Sequence, residues 1–168
     1  DVTVVGCDFT RMRIGVSIKP TTPIENLLIQ GCNFHNYMVW LIDAAPAATG
    51  ATFSNVVIDG CLFHDYYEHD QSNWQGYGDA PHTDGIFLRT TGLNSTWDVT
   101  IRNSVWYSDQ GSSGGTASIY LSEGSSATIY NCVFMSDTKV MAGILVGYDK
   151  PAGATQTVQV LNNTFYGG

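Results

Sequence analysis

Three features of the sequence predict an all-β solenoid, a right-handed parallel β-helix of about six coils with three short strands each. An eight-residue pattern ending on an aromatic anchor occurs six times, a Gly or Asn column runs through it, and short apolar runs follow the copies. Internal repeats of this length are typical of solenoids. The copies start at residues 2, 27, 56, 99, 127 and 158 and read VTVVGCDF, LLIQGCNF, VVIDGCLF, VTIRNSVW, ATIYNCVF and VQVLNNTF.

The first strand of each coil is predicted at the start of each copy, where the positions seven and five residues before the anchor are apolar. That period of two indicates a strand with one buried face. Successive anchors are 25, 29, 43, 28 and 31 residues apart, which suits one turn of a solenoid with loops of varying size. The anchors are Phe9, Phe34, Phe63, Trp106, Phe134 and Phe165.

A bend follows the first strand, three residues before the anchor, where only Gly or Asn occurs. These two residue types tolerate a left-handed backbone better than the others do. The chain is therefore expected to turn there and to begin a second strand through the anchor. The bend residues are Gly6, Gly31, Gly60, Asn103, Asn131 and Asn162.

A third strand is predicted in five coils from short apolar runs. Three strands per turn, stacked in register, give a triangular prism with coils about 4.8 Å apart. The runs are Val16-Ser17-Ile18, Val39-Trp40-Leu41, Ile86-Phe87-Leu88, Ile119-Tyr120-Leu121 and Ile144-Leu145-Val146.

The ends of this solenoid are expected to be uncapped. The first repeat begins at residue 2, the chain stops three residues after the last anchor, and no amphipathic segment covers either end. Open coil edges invite pairing with another chain. We therefore expect either a segment of a longer solenoid or end-to-end stacking of neighbouring molecules.

The composition fits one β-helix domain over residues 1–168 and excludes two classes of partner. With 43% hydrophobic and 13% charged residues, the chain can bury a continuous core. Its formal net charge of −8 argues against nucleic acid, whose binding needs basic surfaces. No apolar run approaches the roughly 18 residues of a membrane span.

The four cysteines are expected to be free thiols rather than disulfides. All four lie two residues before an anchor, so their side chains should stack along the core with parallel Cβ directions about 4.8 Å apart. A disulfide prefers a Cβ separation of about 3.8 Å. A metal site from this column is also unfavourable, because its ligands would run along a line. The column contains Cys7, Cys32, Cys61 and Cys132.

The long inserted loop of coil three, residues 64–84, is where chemistry is expected, because solenoid insertions often carry binding. It holds three of the four His residues, and the fourth, His35, should stack beside His64 because both follow their anchors. Carboxylates beside aromatic side chains are what a sugar site uses. Asp65 and Asp84 lie at the two ends of the insertion and could meet across its mouth. The open alternatives are a polar loop whose acids keep the protein soluble, and a binder without catalysis.

The predicted site residues divide by role. The catalytic candidates are Asp84, Asp65, Glu68 and His82, and the substrate-binding candidates are Trp74, Tyr77, Tyr66, Tyr67, Arg89 and His64. No resident metal or cofactor is expected. The acids at 65, 68, 70 and 79 would suit Ca²⁺, the one candidate ion, but match no calcium-loop spacing. The His residues form no His-Glu-x-x-His arrangement, which makes zinc improbable.

An exterior stripe of Leu62, Val105 and Val133 precedes three successive anchors. Adjacent apolar residues on an outer face predict a contact patch for self-association. The alternative is that the long loop of coil three covers them. Two N-glycosylation triplets, at Asn94 and Asn162, favour a secreted protein if the source is eukaryotic.

Through its repeats, the whole chain resembles the pectin-lyase-like superfamily of right-handed β-helices. That superfamily includes polysaccharide lyases, glycoside hydrolases, epimerases, phage tailspikes and adhesins. The segment His82-Thr83-Asp84-Gly85-Ile86 is similar to the Asn-Thr-Asp-Gly-Ile motif of polygalacturonase-type glycoside hydrolases, with His82 in place of Asn. The resemblance implies that Asp84 is a catalytic carboxylate. It also implies an extracellular or cell-surface location, because the fold usually acts on extracellular polymers.

The function predicted from these features is carbohydrate-active: cleavage of glycosidic bonds in an extracellular polysaccharide by carboxylates of the insertion. Lyases of this fold use a basic residue as the proton abstractor, and Arg89 is the one basic residue close in sequence to the insertion. A lyase for anionic uronates fits poorly with so acidic a site, which favours a neutral sugar polymer as the substrate, while hydrolase and lyase both stay open. The alternative is a non-catalytic structural or adhesive β-solenoid, such as a tailspike segment or an extracellular filament subunit, that packs end to end or binds glycan.

Overall fold

A computed structural model describes residues 1–37, 39–45, 50–66, 84–89, 97–108, 116–122, 124–136, 142–148, 153 and 155–167. Within these ranges the chain forms seventeen strands in three parallel sheets. Each sheet takes one strand from each successive coil, so the chain is a parallel β-solenoid, as predicted. Sheets A and B contain the six strands that the six copies of the repeat require, and sheet C contains five.

The strand bounds follow the three predicted segments of each coil. Sheet A contains, in spatial order, β1 (Val2–Val5), β4 (Ile24–Gln30), β7 (Phe53–Asp59), β10 (Trp97–Arg102), β13 (Ala127–Tyr130) and β16 (Val158–Leu161). Sheet B contains β2 (Asp8–Thr10), β5 (Asn33–Tyr37), β8 (Leu62–Tyr66), β11 (Val105–Ser108), β14 (Val133–Ser136) and β17 (Thr164–Gly167). Sheet C contains β3 (Ile14–Ile18), β6 (Trp40–Ala44), β9 (Asp84–Leu88), β12 (Ala117–Ser122) and β15 (Ala142–Tyr148).

The aromatic anchors form one continuous stack through the core. Phe9 pairs with Phe34, and Phe34 with Phe63, with ring centroids 4.7 and 5.1 Å apart. The stack continues through Trp106 to the last two anchors at separations of 4.6 to 4.8 Å. Because strands in register lie about 4.8 Å apart, identical columns place ring on ring. The continuous stack is therefore a consequence of the common register of all six copies.

The Gly/Asn column adopts the left-handed backbone that the sequence predicts. Its φ values lie between 52° at Asn103 and 62° at Gly60. A second left-handed column, which the sequence analysis did not identify, follows the anchors by two residues and turns the chain from sheet B towards sheet C. It consists of Arg11, Asn36 and Asp65, with φ of 56°, 53° and 50°.

The four cysteines are free thiols, as predicted. Cys32, Cys61 and Cys132 are buried in the core, where each behaves as a small apolar side chain. Burial raises the pKa of the Cys61 thiol to about 11 and also raises the pKa of Cys132. Cys7 differs because it is exposed, in the coil whose strands β1 and β2 are edge strands of their sheets.

The third strand of the second coil is shifted from the predicted run Val39-Trp40-Leu41. It spans Trp40–Ala44, and Ile42 is the residue that pairs with Val16 and Ile86. Ile42 is fully buried, whereas the ring of Trp40 packs at 5.2 Å on Phe87. Four consecutive apolar residues, from 39 to 42, leave the inward position undecided in the sequence. The other four predicted third strands lie within β3, β9, β12 and β15.

Candidate functional site

The insertion of coil three leaves the end of β8 and returns at the start of β9. Its two ends therefore lie in different sheets, Asp65 in sheet B and Asp84 in sheet C. The described residues include His64, Asp65, Asp84 and Arg89. The remaining candidates lie outside the described residues, and the roles predicted for them stay predictions. They are Tyr67, Glu68, Trp74, Tyr77 and His82, together with the side chain of Tyr66.

His35 and His64 form the stacked pair that the register predicts. They occupy equivalent positions in β5 and β8, directly after two buried anchors. Their ring centroids are 5.1 Å apart and their planes differ by 3°. Both side chains are 19% exposed, so the pair faces outward yet is largely shielded.

A chain of hydrogen bonds fixes both imidazoles along one edge. Asn33 Nδ2 donates to Asp8 Oδ1 at 2.8 Å, and His35 Nε2 lies 3.2 Å from the same oxygen. Asn33 Oδ1 lies 2.9 Å from His64 Nε2, and Asp65 Oδ2 lies 2.8 Å from His64 Nδ1. The hydrogen bond from Asn33, followed by that from His35, lowers the pKa of Asp8 and keeps it ionised.

His64 therefore faces oxygen atoms at both ring nitrogens. The amide of Asn33 is oriented by its donation to Asp8, which leaves its carbonyl oxygen facing His64. The other nitrogen faces the carboxylate of Asp65. Neither oxygen donates a hydrogen bond, so each can accept one from a ring N–H of His64.

Asp84 has surroundings unlike those of Asp65. Asp84 is fully buried. The backbone N–H of Ala117 donates to Asp84 Oδ1 at 3.1 Å, whereas Asp84 Oδ2 has no well-aligned donor among the described residues. Burial raises the pKa of Asp84 to about 7, and the hydrogen bond from Ala117 opposes that shift only in part. The side chain of Asp65 is 39% exposed and bonds to His64. That Asp65 and Asp84 come together across the mouth of the insertion stays a prediction.

Arg89 lies in a cluster with a buried carboxylate that the sequence analysis missed. Its Nε is 3.6 Å from Asp43 Oδ1, and Lys19 Nζ is 3.2 Å from Asp43 Oδ2. The guanidinium carbon lies 5.4 Å from the ring centroid of Trp40 and 5.3 Å from that of Phe87. Asp43 is fully buried, so the two cations offset the cost of burying its charge. Arg89 is therefore held by Asp43 and two aromatic rings.

The outer face of sheet B changes from polar to apolar along the solenoid. The predicted stripe of Leu62, Val105 and Val133 pairs in register, and Leu62 is 40% exposed. A second outward row runs from His64 through residues that are 37% to 73% exposed, namely Tyr107, Met135 and Tyr166. The face thus offers a polar region around the stacked imidazoles beside an apolar region that ligands or partners could contact.

The sequence matches one family model over residues 1–168, the model described as "Right handed beta helix region". No curated protein and no solved structure matches the chain significantly. Within the described ranges, no helix is long and apolar enough to cross a membrane. The parallel solenoid is consistent with the pectin-lyase-like superfamily that the repeats resemble. The chain belongs to the right-handed β-helix family.

Proposed function

We propose that this β-helix acts on an extracellular polysaccharide and cleaves glycosidic bonds where the insertion of coil three meets the solenoid. One observation carries the proposal: two carboxyl groups with opposite surroundings flank the insertion. Asp84 is buried with its pKa raised to about 7, and Asp65 is partly exposed and hydrogen bonded to an imidazole. Glycosidases use such a difference, with one carboxylic acid protonated and one carboxylate ionised.

In this proposal Asp84 is the general acid. A carboxyl group with a pKa of about 7 keeps a substantial protonated fraction at neutral pH and can protonate the leaving glycosidic oxygen. Asp65 then acts as the nucleophile or as the base that activates water, which requires a carboxyl separation of about 5 Å or about 6.5–9.5 Å respectively. Since Asp84 is buried, substrate binding must give the polymer access to it.

The substrate is proposed to be a neutral sugar polymer. Besides the proposed acid Asp84, the insertion and its start contribute Asp65, Glu68, Asp70 and Asp79, whose negative charge disfavours anionic uronates. The rings of Trp74 and Tyr77 supply faces on which a pyranose packs. Tyr66, Tyr67 and His64 would line the same site, and Glu68 and His82 would assist proton transfer.

The test is the release of reducing sugar ends from a panel of neutral and anionic polysaccharides. We expect release from a neutral polymer, a loss of about 100-fold or more in Asp84→Asn, and a comparable loss in Asp65→Asn. Asp98→Asn, an exposed carboxylate in sheet A, is the matched control and should retain full activity. Equal release by the parent and Asp84→Asn removes Asp84 from the mechanism, and no release from any polymer contradicts cleavage.

A second candidate is a structural or adhesive β-solenoid, favoured by the exposed apolar region of sheet B. Leu62, Tyr107, Met135 and Tyr166 are all at least 37% exposed. Burying such a surface favours association of copies, either laterally or through open coils. Sedimentation that shows oligomers in the parent and monomers in Leu62→Asp would support this role. A monodisperse monomer at high concentration would count against it.

A further inference from the structure

We propose that His35, His64 and Asp65 bind a divalent transition-metal ion of the zinc type on the outer face of sheet B. This replaces the sequence-based expectation that the chain has no resident metal. The inference does not rest on the proposed polysaccharide cleavage. Here Asp65 is a metal ligand, whereas in the cleavage proposal it is the nucleophile or the base.

The three side chains already lie close together. One ligand atom from each of them falls within 4.8 Å of the ligand atoms of the other two. Two of the three ligands are fixed by the core, because His35 and His64 directly follow the buried anchors Phe34 and Phe63. Asp65 follows in the left-handed backbone that turns the chain out of sheet B, with φ of 50°.

The Nε2 atoms of the two imidazoles, on the edge away from Asp65, already contact oxygen atoms, as the second ring nitrogen of a metal-binding histidine does. His35 Nε2 lies 3.2 Å from the carboxylate of Asp8, and His64 Nε2 lies 2.9 Å from the carbonyl oxygen of Asn33. A metal-ligating His usually donates its second ring N–H to such a carboxylate or carbonyl group, which fixes the tautomer and the ring orientation. Both Nδ1 atoms are thereby directed to the same edge of the stack, where Asp65 lies.

The contact between His64 and Asp65 already brings a nitrogen ligand and an oxygen ligand together. His64 Nδ1 lies 2.8 Å from Asp65 Oδ2, while His64 Nε2 faces the carbonyl oxygen of Asn33. A metal ion placed between Nδ1 and the carboxylate would accept a lone pair from each of them. Asp8, whose carboxyl group lies beside His35 Nε2, contributes a second acidic group near the two imidazoles.

The donor set selects the metal. Two imidazole nitrogens and one carboxylate suit Zn²⁺, Co²⁺, Ni²⁺ or Cu²⁺, whereas Ca²⁺ and Mg²⁺ prefer oxygen ligands throughout. Three protein ligands leave a fourth tetrahedral position for water. The amide of Asn36, with Nδ2 at 2.8 Å from His35 Nδ1, would have to turn away from this edge.

Binding must draw the ligands closer together. Metal–nitrogen distances of about 2.0–2.1 Å place neighbouring ligand atoms roughly 3.3 Å apart in a tetrahedral site. The present separations reach 4.8 Å, so the two imidazoles must tilt towards each other out of their parallel stack. Their outward position lets side-chain rotation achieve this without moving the buried anchors.

The first experiment titrates the chelator-treated 168-residue chain with ZnCl₂ by isothermal titration calorimetry at pH 7.5. We expect one bound ion per chain. His35→Gln, His64→Gln and Asp65→Asn should each weaken binding by at least tenfold. Asp98→Asn is the matched carboxylate control and should bind as the parent does.

Two further measurements keep the outcome decisive. Co²⁺ should give the parent a visible absorption band, and a saturating concentration of Zn²⁺ should raise its Tm but not that of the double variant His35→Gln/His64→Gln. Circular dichroism confirms that each variant is folded. Failure of the folded parent to bind either metal overturns the proposal, as does undiminished binding by the folded double variant. Neither result depends on enzymatic activity.

Discussion

Arg102 Nη2 lies 2.9 Å from Asp59 Oδ2, although the two residues are 43 positions apart in the chain. They meet because they pair directly in β7 and β10 on either side of the long insertion. The side chain of Asn103 donates to the other carboxylate oxygen at 2.7 Å, and Arg102 also donates to the hydroxyl of Tyr130. Three coils are thus joined on the outer face of sheet A.

Arg102→Leu is expected to lower the free energy of unfolding by about 1 kcal/mol, since the pair is partly exposed on the arginine side. Burial acts to raise the pKa of Asp59, but the hydrogen bonds from Arg102 and Asn103 outweigh it and the pKa is lowered. The stabilisation is therefore present at neutral pH and lost as the pH falls through the pKa of folded Asp59. Urea unfolding at pH 7 and pH 3 measures both effects. An unchanged midpoint at pH 7 would contradict them.

Asp84→Asn is expected to stabilise the protein above pH 7. The folded carboxyl group keeps its proton up to a pKa of about 7, whereas the unfolded group loses it near 4. The free energy of unfolding of the parent therefore falls as the pH rises from about 4 to 7 and then levels off. At pH 8 the free energy of unfolding of the variant should exceed that of the parent by on the order of 2–4 kcal/mol. At pH 4 the two should unfold at similar urea concentrations, and equal stability at pH 8 would contradict the buried position of Asp84.

Asn131→Val is expected to destabilise the solenoid, whereas Asn131→Gly is its neutral control. Asn131 has φ of 53° and is exposed, so the backbone conformation rather than packing determines the effect. A β-branched residue in a left-handed conformation costs about 1–2 kcal/mol, a strain that Gly avoids. Thermal unfolding of the three proteins measures the difference. Equal Tm values for the Val and Gly variants would show that the bend relaxes.

One of the four thiols should react quickly with a disulfide reagent in the native protein. Cys7 is exposed, whereas Cys32, Cys61 and Cys132 are buried and the raised pKa values of Cys61 and Cys132 keep these thiols protonated. Titration should count one fast thiol in buffer and four in urea. Cys7→Ser should remove the fast phase. A native count of three or four would contradict the core column.

The sequence predicts the architecture because every coil repeats the same columns. Apolar positions, bend residues and anchors each agree across six copies. A position that is ambiguous in one copy can therefore be assigned from the equivalent positions in the others. The second coil shows the limit: residues 39 to 42 are all apolar, and only pairing with Val16 and Ile86 identifies Ile42 as the inward residue. The second left-handed column is not apparent in the sequence because Arg11 shares it with Asn36 and Asp65, so the column lacks the uniform Gly or Asn composition of the first.

The candidate site is predictable where it depends on register alone. His35 and His64 stack because equivalent positions must meet, and this follows from the repeat. The buried carboxylate of Asp43 could not be predicted because its cations, Lys19 and Arg89, come from other coils, where each directly follows the end of a strand. The raised pKa of Asp84 could not be predicted either, since the local sequence does not show that the carboxyl group is shielded from water.

The stack of anchor rings makes the cross-section of a coil independent of its length. Coils of 25 and 43 residues place their anchors at the same spacing, because the extra residues lie between strands. Cuts after Gly31 and after Gly60 would therefore excise 29 residues and leave two ends with the same backbone direction and the same inward columns. The molecule is in this sense modular: whole coils are interchangeable units, and a designer could shorten, lengthen or shuffle the scaffold while preserving the surface on which a graft is displayed.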